Sequence, residues 1–319
     1  MNKASVSIII LNWNGYEDTL EALESLYQIT YPNYNVIVAD NNSTNDSIEK
    51  IKDYCEGKIK IETQYTKYQD KKIKLEIIDE EDYTRKIDNT TTKDEKKLLL
   101  IKNHENYGFA KGNNKAIEYT KKQDKPDYIL LLNNDTIVKE DFLDKMIDVA
   151  QKDEKIGLIG PKFYYYDFDG NHETIWCTGS VVDLDHFPGH HSIMEETYYD
   201  PTEKIIDCDW VSGAGALIKT EAMPEENLDT DFFFGCEDVE LAMNIKEKGY
   251  KVITVTDSII WHKVGMSRHK SSSFKTEYNH ITTNLKFIKK HKKHYYIHLP
   301  RYIAQIGKLY IKTIMGKIK

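Results

Sequence analysis

Five short apolar runs recur along the chain, at residues 6–11, 36–39, 98–101, 128–132 and 252–255. They are apolar throughout rather than alternating, as strands buried on both faces are. Helical spacing fills several of the gaps. Tyr16, Leu20, Leu23 and Tyr27, for example, fall on one face of a helix. Such alternation predicts an α/β fold with a mostly parallel sheet covered by helices. Ligands of these sheets bind beyond the carboxyl ends of the strands. The residues after the runs are therefore informative: Asn12-Trp13-Asn14-Gly15, Asp40-Asn41-Asn42-Ser43, Asn103 through Asn106, and Asn133-Asn134-Asp135. Asn and Asp suit turns, yet turn chemistry alone does not explain the same amide-rich ending at strand after strand.

Residues 55–97 break the pattern. Ile59 and Ile61, then Ile73, Leu75 and Ile77, alternate with polar residues at period two. A charged β-hairpin inserted on the surface is expected there, with a loose flank at 88–95.

With 319 residues, 40% apolar and 30% charged, the chain can bury a large core as one α/β unit or two modest ones. Its cysteines, Cys55, Cys177, Cys208 and Cys236, form no CxxC pair, which argues against zinc. They read as reduced thiols of a cytoplasmic protein, with no secretory leader expected in the first residues. The net charge of −8 is unevenly spread. Residues 262–319 hold 14 Lys and Arg against one acid, Glu277, while the rest holds 30 basic against 51 acidic residues. A basic extension on an acidic body makes an anionic membrane surface a candidate partner and disfavours nucleic acid. After Pro300, the residues Ile303, Ile306, Tyr310 and Ile314 recur at helical spacing opposite Arg301, Gln305, Lys308 and Lys312, as in an interfacial helix. The same helix could instead pack its apolar face on the body.

No GxGxxG and no GxxxxGK[ST] occurs, which disfavours dinucleotide-binding and P-loop folds. The segment GCEDVELAMNIKEKGY predicts a helix from near Glu237, closed by Gly249. Glu237 and Asp238 then lie in its first turn, where the helix dipole favours a carboxylate.

Eight segments, in order, carry a resemblance: VSIIILNWNG, VIVADNNSTNDS, NYGFAKGNN, YILLLNNDT, GPKFYYYD, WVSGAGALI, FFFGCEDVELAMNIKEKGY and IIWHKVG. They resemble the inverting family 2 glycosyltransferases of the GT-A fold, in particular the rhamnosyltransferase-like branch. The resemblance implies a catalytic domain over residues 1–265; the charged stretch at 55–97 is then a surface insertion in it, and the basic residues 266–319 a helical extension after it. It implies a UDP- or dTDP-sugar donor, a glycan or lipid-linked acceptor, and Mg²⁺ or Mn²⁺ as cofactor. Donor-binding positions by this likeness are Asn12, Asp40, Asn41, Gly108, Phe109, Gly112, Asn113, Asn133 and Asn134. Asp40 would meet the base, although it could also cap a helix starting near Asp46. Asn133-Asn134-Asp135 stands where the family carries its DxD metal motif, with Asn133 in place of the first aspartate. Asp135 and His262 become the metal ligands. Asp238 becomes the general base, with Glu237, Gly213 and Trp210 on the acceptor side. The family's Arg-Asn pair before its last helix is here Thr283-Asn284. Asp183, Asp185, His186, His190 and His191 form a further polar group that could hold metal or line the acceptor side. Two other readings use the same residues: a nucleotidyltransferase, which would not need the Glu237-Asp238 helix start, and a catalytically silent nucleotide-sugar-binding module.

Overall fold

The computed structural model describes residues 3–82, 85, 87, 88, 90–92, 95–182, 190–192, 202–232, 235–264, 274–291, 295–297 and 299–315. In chain order the elements begin with β1 (Val6–Asn12), α1 (Tyr16–Leu26), β2 (Tyr34–Asp40), α2 (Ser47–Cys55), β3 (Ile73–Asp79), β4 (Thr90–Thr91) and β5 (Lys96–Lys102). Next come α3 (Gly108–Gln123), β6 (Tyr128–Asn133), β7 (Thr136–Val138), α4 (Phe142–Ala150), β8 (Ile156–Tyr165), β9 (Ile175–Cys177), β10 (Ser180–Val182), β11 (His190–Ser192) and β12 (Ile205–Asp207). The last are β13 (Gly215–Lys219), α5 (Glu237–Glu247), β14 (Lys251–His262), α6 (Phe274–His291) and α7 (Leu299–Ile314).

The main sheet runs β12-β14-β8-β13-β6-β1-β2-β5-β3. Strands β6, β1, β2, β5 and β3 are parallel, while β13 runs antiparallel between β6 and β8. Side chains from α1, α2 and α4 build the core on one face, and those from α3 and α5 build it on the other. This two-sided burial explains the unbroken apolar runs. The sheet is mixed and mostly parallel, as the sequence predicts.

The inserted hairpin does not form. Ile59 and Ile61 belong to no strand and pack, partly buried, against the core. Residues 73–79 instead form β3, which joins β5 in parallel as the outermost strand. An edge strand with one half-exposed face alternates just as a hairpin arm does, so the alternation holds while the partner is β5 rather than residues 59–61.

The C-terminal extension is helical and docked. Phe287 and Ile288 of α6 and Tyr302 of α7 pack with Phe232, Cys236 and Val239, so the extension rests on α5. The inward residues of α7 are Tyr302 and Leu309. Ile303, Tyr310 and Ile314, which the sequence groups on one face, point outward.

Candidate active site

The carboxyl edge of the parallel strands gathers the predicted residues. Asn12 pairs with Asp40 in register, and Leu11 pairs with Asn133. Asp40 is buried and accepts three bonds: from Asn12 Nδ2 (2.6 Å), Ser43 Oγ (2.6 Å) and the Ser43 amide (2.9 Å). It folds the turn after β2 and does not cap α2, whose first amide is met by Asn45 Oδ1 at 3.1 Å. The Ser43 hydroxyl and amide, three residues after Asp40, close that turn.

Several amides here brace the cleft. Asn12 is fully buried and accepts a bond from Thr19 Oγ1 (2.8 Å) while holding Asp40. Asn41 ties the end of β2 to the loop before α3, donating to Asn106 Oδ1 (2.9 Å) and accepting from Asn103 Nδ2 (3.1 Å) and the Tyr107 amide (3.2 Å). Asn113 donates back to Phe109 O within α3 at 2.9 Å and is buried. Gly112 lets α3 approach closely: a Cβ there would stand 2.9 Å from Leu11 Cδ1 and 3.0 Å from Asn41 Oδ1. Gly108 opens α3 at φ +75°, where a side chain would be strained.

The segment 133–138 answers what two amides and an acid do at a strand end. The chain leaves β6 at Asn133, turns through Asn134 and Asp135, and enters β7, which pairs with the end of β14 so that Thr136 faces His262. Asn134 Nδ2 donates to Gly15 O (3.1 Å) and Thr19 Oγ1 (3.2 Å), pinning the turn to α1. Asp135 Oδ1 lies 3.0 Å from His262 Nε2. Burial pushes the Asp135 carboxyl up, but the His262 ring beside it, their hydrogen bond and Lys263 outweigh that and hold it below its ordinary value. Trp176 sets its ring edge-on to His262, with centroids 4.6 Å apart.

Among the described residues no third His, Cys, Asp or Glu joins this pair. Asp135 Oδ1 and His262 Nε2, an O and an N donor converging at 3.0 Å, fit a cation that takes its other ligands from diphosphate and water. Asp183, Asp185 and His186 lie outside the described residues. His190 and His191 sit in β11, paired with β10.

A continuous path joins this edge to the first turn of α5. The Asn133 amide donates to Ala214 O (3.1 Å), and the Gly213 amide donates to Asp238 Oδ2 (3.2 Å). At Gly213 an added Cβ would lie 3.3 Å from the Phe109 ring and 3.6 Å from Asp238 Cβ. Phe109, Gly213 and Asp238 therefore meet at one point. Trp210, three residues earlier, is partly buried between the α3-side core and the α6 cluster. The chain enters α5 through Gly235 (φ +90°) and Cys236 (φ +68°), two left-handed residues that swing the acids toward the sheet.

Glu237 is buried, and its Oε2 has no partner among the described residues. Burial, reinforced by Asp238, pushes its carboxyl up to about 8. Burial also raises Asp238, against the bonds from Gly213 and Val239. The helix terminus alone was expected to keep Asp238 ionised; desolvation is the larger effect. Raised acids of this kind are common where proton transfer occurs. The four cysteines are buried free thiols.

The fold is that of the GT-A glycosyltransferases. A mannosyltransferase from Pyrobaculum calidifontis, solved with GDP-Man and Mn²⁺, is similar over 99% of this chain and 76% of its own, with a TM-score of 0.58 and 15% identity. GalNAc-T7, solved with UDP, GalNAc and Mn²⁺, is similar over 82% of this chain, with a TM-score of 0.55 and 14% identity; this chain covers 44% of its length. S. aureus TarS 1–349 gives a TM-score of 0.51 at 13% identity, over 97% of this chain and 72% of its own. The model of glycosyl transferase family group 2 matches residues 128–315, and that of glycosyl transferase family 2 matches 7–72 and 66–176. The chain belongs to glycosyltransferase family 2. No curated protein is similar enough in sequence to match it.

Proposed function

We propose that this glycosyltransferase is an inverting hexosyltransferase. It moves a sugar from a UDP- or dTDP-sugar to a hydroxyl of a glycan or lipid-linked acceptor, in the synthesis of a surface polysaccharide or glycolipid. A rhamnosyl donor follows the branch that the sequence resembles. The observation that carries this reading is the path Asn133–Ala214–Gly213–Asp238, which sets a carboxylate beside the carboxyl edge of the sheet.

In this reading Asp40 and its turn receive the base, and Phe109 and Gly213 line the space between donor and acceptor. Asp135 and His262 would hold Mg²⁺ or Mn²⁺, which would supply positive charge to offset that of a departing nucleoside diphosphate. Glu237 orients the acceptor. Asp238 takes the proton from the acceptor hydroxyl, whose oxygen attacks the anomeric carbon from the face opposite the diphosphate. The new glycosidic bond forms as the bond to the diphosphate oxygen breaks, and the anomeric configuration inverts. Mn²⁺ and nucleotide-sugar components in the solved neighbours support the donor class. The test is a screen of nucleotide-sugars for thermal stabilisation, with and without Mn²⁺.

The extension supports work at the inner face of a membrane. No helix among the described residues is long and apolar enough to cross one. Yet α7 turns Ile303 (62% exposed), Tyr310, Ile311 and Ile314 (84% exposed) to solvent, with exposed Arg301 and Lys308 on the adjoining arc. An apolar arc flanked by cations suits the headgroup layer of an anionic bilayer, where each nearby Lys or Arg adds about 1 kcal/mol. The full chain is expected to co-sediment with phosphatidylglycerol vesicles at low salt and less so at high salt. The double variant Ile303→Asp, Ile314→Asp should stay in solution. Equal sedimentation of both proteins, or indifference to lipid charge, contradicts the membrane reading.

A further inference from the structure

The catalytic helix is gripped from behind. Glu240 of α5 is fully buried, two residues past Asp238. Its Oε1 lies 2.6 Å from Lys290 Nζ, and its Oε2 is hydrogen-bonded to His291 Nε2. Both partners come from the last turn of α6. Lys290 also reaches Asp229 Oδ2 at 2.8 Å, and Asn244 Nδ2 adds a longer bond to Glu240 Oε1 at 3.4 Å. At the head of α5, Cys236 Sγ bonds Asn284 Oδ1 at 3.4 Å. Burial opposes the Glu240 charge, but His291 and Lys290 outweigh it, so the carboxyl stays below its ordinary range.

Such a cluster is a poor source of net stability, since desolvating the charges offsets much of their attraction. Its geometry nevertheless fixes a register. We propose that Lys290 and His291 are positioning residues, which act through Glu240 to fix the rotation and depth of α5 and so the location of the Asp238 carboxylate. The inference rests on the reading of Asp238 as base. The clamp lies on α5, α6 and Asp229, and among the described residues it bonds none of those at the ends of β1, β2, β5 and β6. Its loss should therefore act on the chemical step and spare donor binding.

The test is steady-state kinetics on the full chain carrying Lys290→Met, His291→Gln, both, or Lys290→Arg. The double variant should lose about tenfold or more in kcat, as a displaced catalytic group does, with donor KM and Mn²⁺-dependent nucleotide stabilisation unchanged. Lys290→Arg should recover most of the loss of Lys290→Met. A double variant with wild-type kcat overturns the clamp alone. So does a loss of kcat matched by loss of nucleotide stabilisation, which would mark general unfolding. A wild type that transfers no sugar to any acceptor overturns the glycosyltransferase reading, and the clamp with it.

Discussion

Replacing Asp238 by Asn is expected to lower turnover by roughly 10²–10⁴-fold, the usual worth of a general base, while nucleotide-sugar binding survives. The substitution keeps the side chain's shape. It also keeps an oxygen that can accept from the Gly213 amide, now 3.2 Å from Asp238 Oδ2. What is lost is the ability to take a proton, together with the second acceptor oxygen, Oδ1, which the Val239 amide now meets at 2.9 Å. The pH profile gives a second reading of the same claim. Burial raises Asp238 and pushes Glu237 up to about 8, so the pair holds a proton well above the ordinary carboxylate range. A base must be unprotonated, so wild-type kcat should rise with pH through the neutral range. The residual turnover of Asp238→Asn should not follow that rise. Stability runs the other way: between about 4.5 and about 8 the folded protein binds more protons at Glu237 than the unfolded chain does, so it weakens as pH rises. Normal turnover in the Asn variant would move the base to Glu237.

Replacing Asp135 by Ala should abolish transfer and remove the gain in nucleotide affinity that Mn²⁺ gives. Asp135 is the carboxylate of the pair and stands 3.0 Å from the only other candidate ligand among the described residues, His262. A single remaining imidazole cannot hold a hard cation against water. Asn133→Ala should do less, because its backbone amide, which bonds Ala214 O, is kept. The check is nucleotide affinity by calorimetry with metal and with chelator. A wild type whose affinity ignores chelator would contradict the assignment.

Much of this site is legible in the sequence because buried parallel strands end abruptly. The runs at 6–11, 36–39 and 128–132 became β1, β2 and β6, and the amides after them share one edge. Strand β8 was harder to see. Its Gly157, Gly160 and Pro161 read as turn signals, yet each glycine is there because a side chain would collide, with Tyr250 at Gly157 and with Val211 at Gly160. The partner of β3 could not be read from local alternation, since β5 lies some twenty residues on and pairs in parallel. In α7 the period was legible, but the choice between Tyr302 and Ile303 as the inward side depends on the groove that α5 and α6 present. The role of Glu240 was hidden for the same reason, since its partners Lys290 and His291 are distant in sequence and sit in a run that looks merely basic.

The most direct measurement of the central claim is thermal stabilisation of the full chain by a panel of nucleotide-sugars and nucleoside triphosphates, with and without Mn²⁺. A UDP- or dTDP-sugar at a hundred times its dissociation constant should stabilise the fold by about 2.7 kcal/mol, and chelator should remove most of that gain. Stabilisation by nucleoside triphosphates in preference to nucleotide-sugars, or by neither, would contradict it.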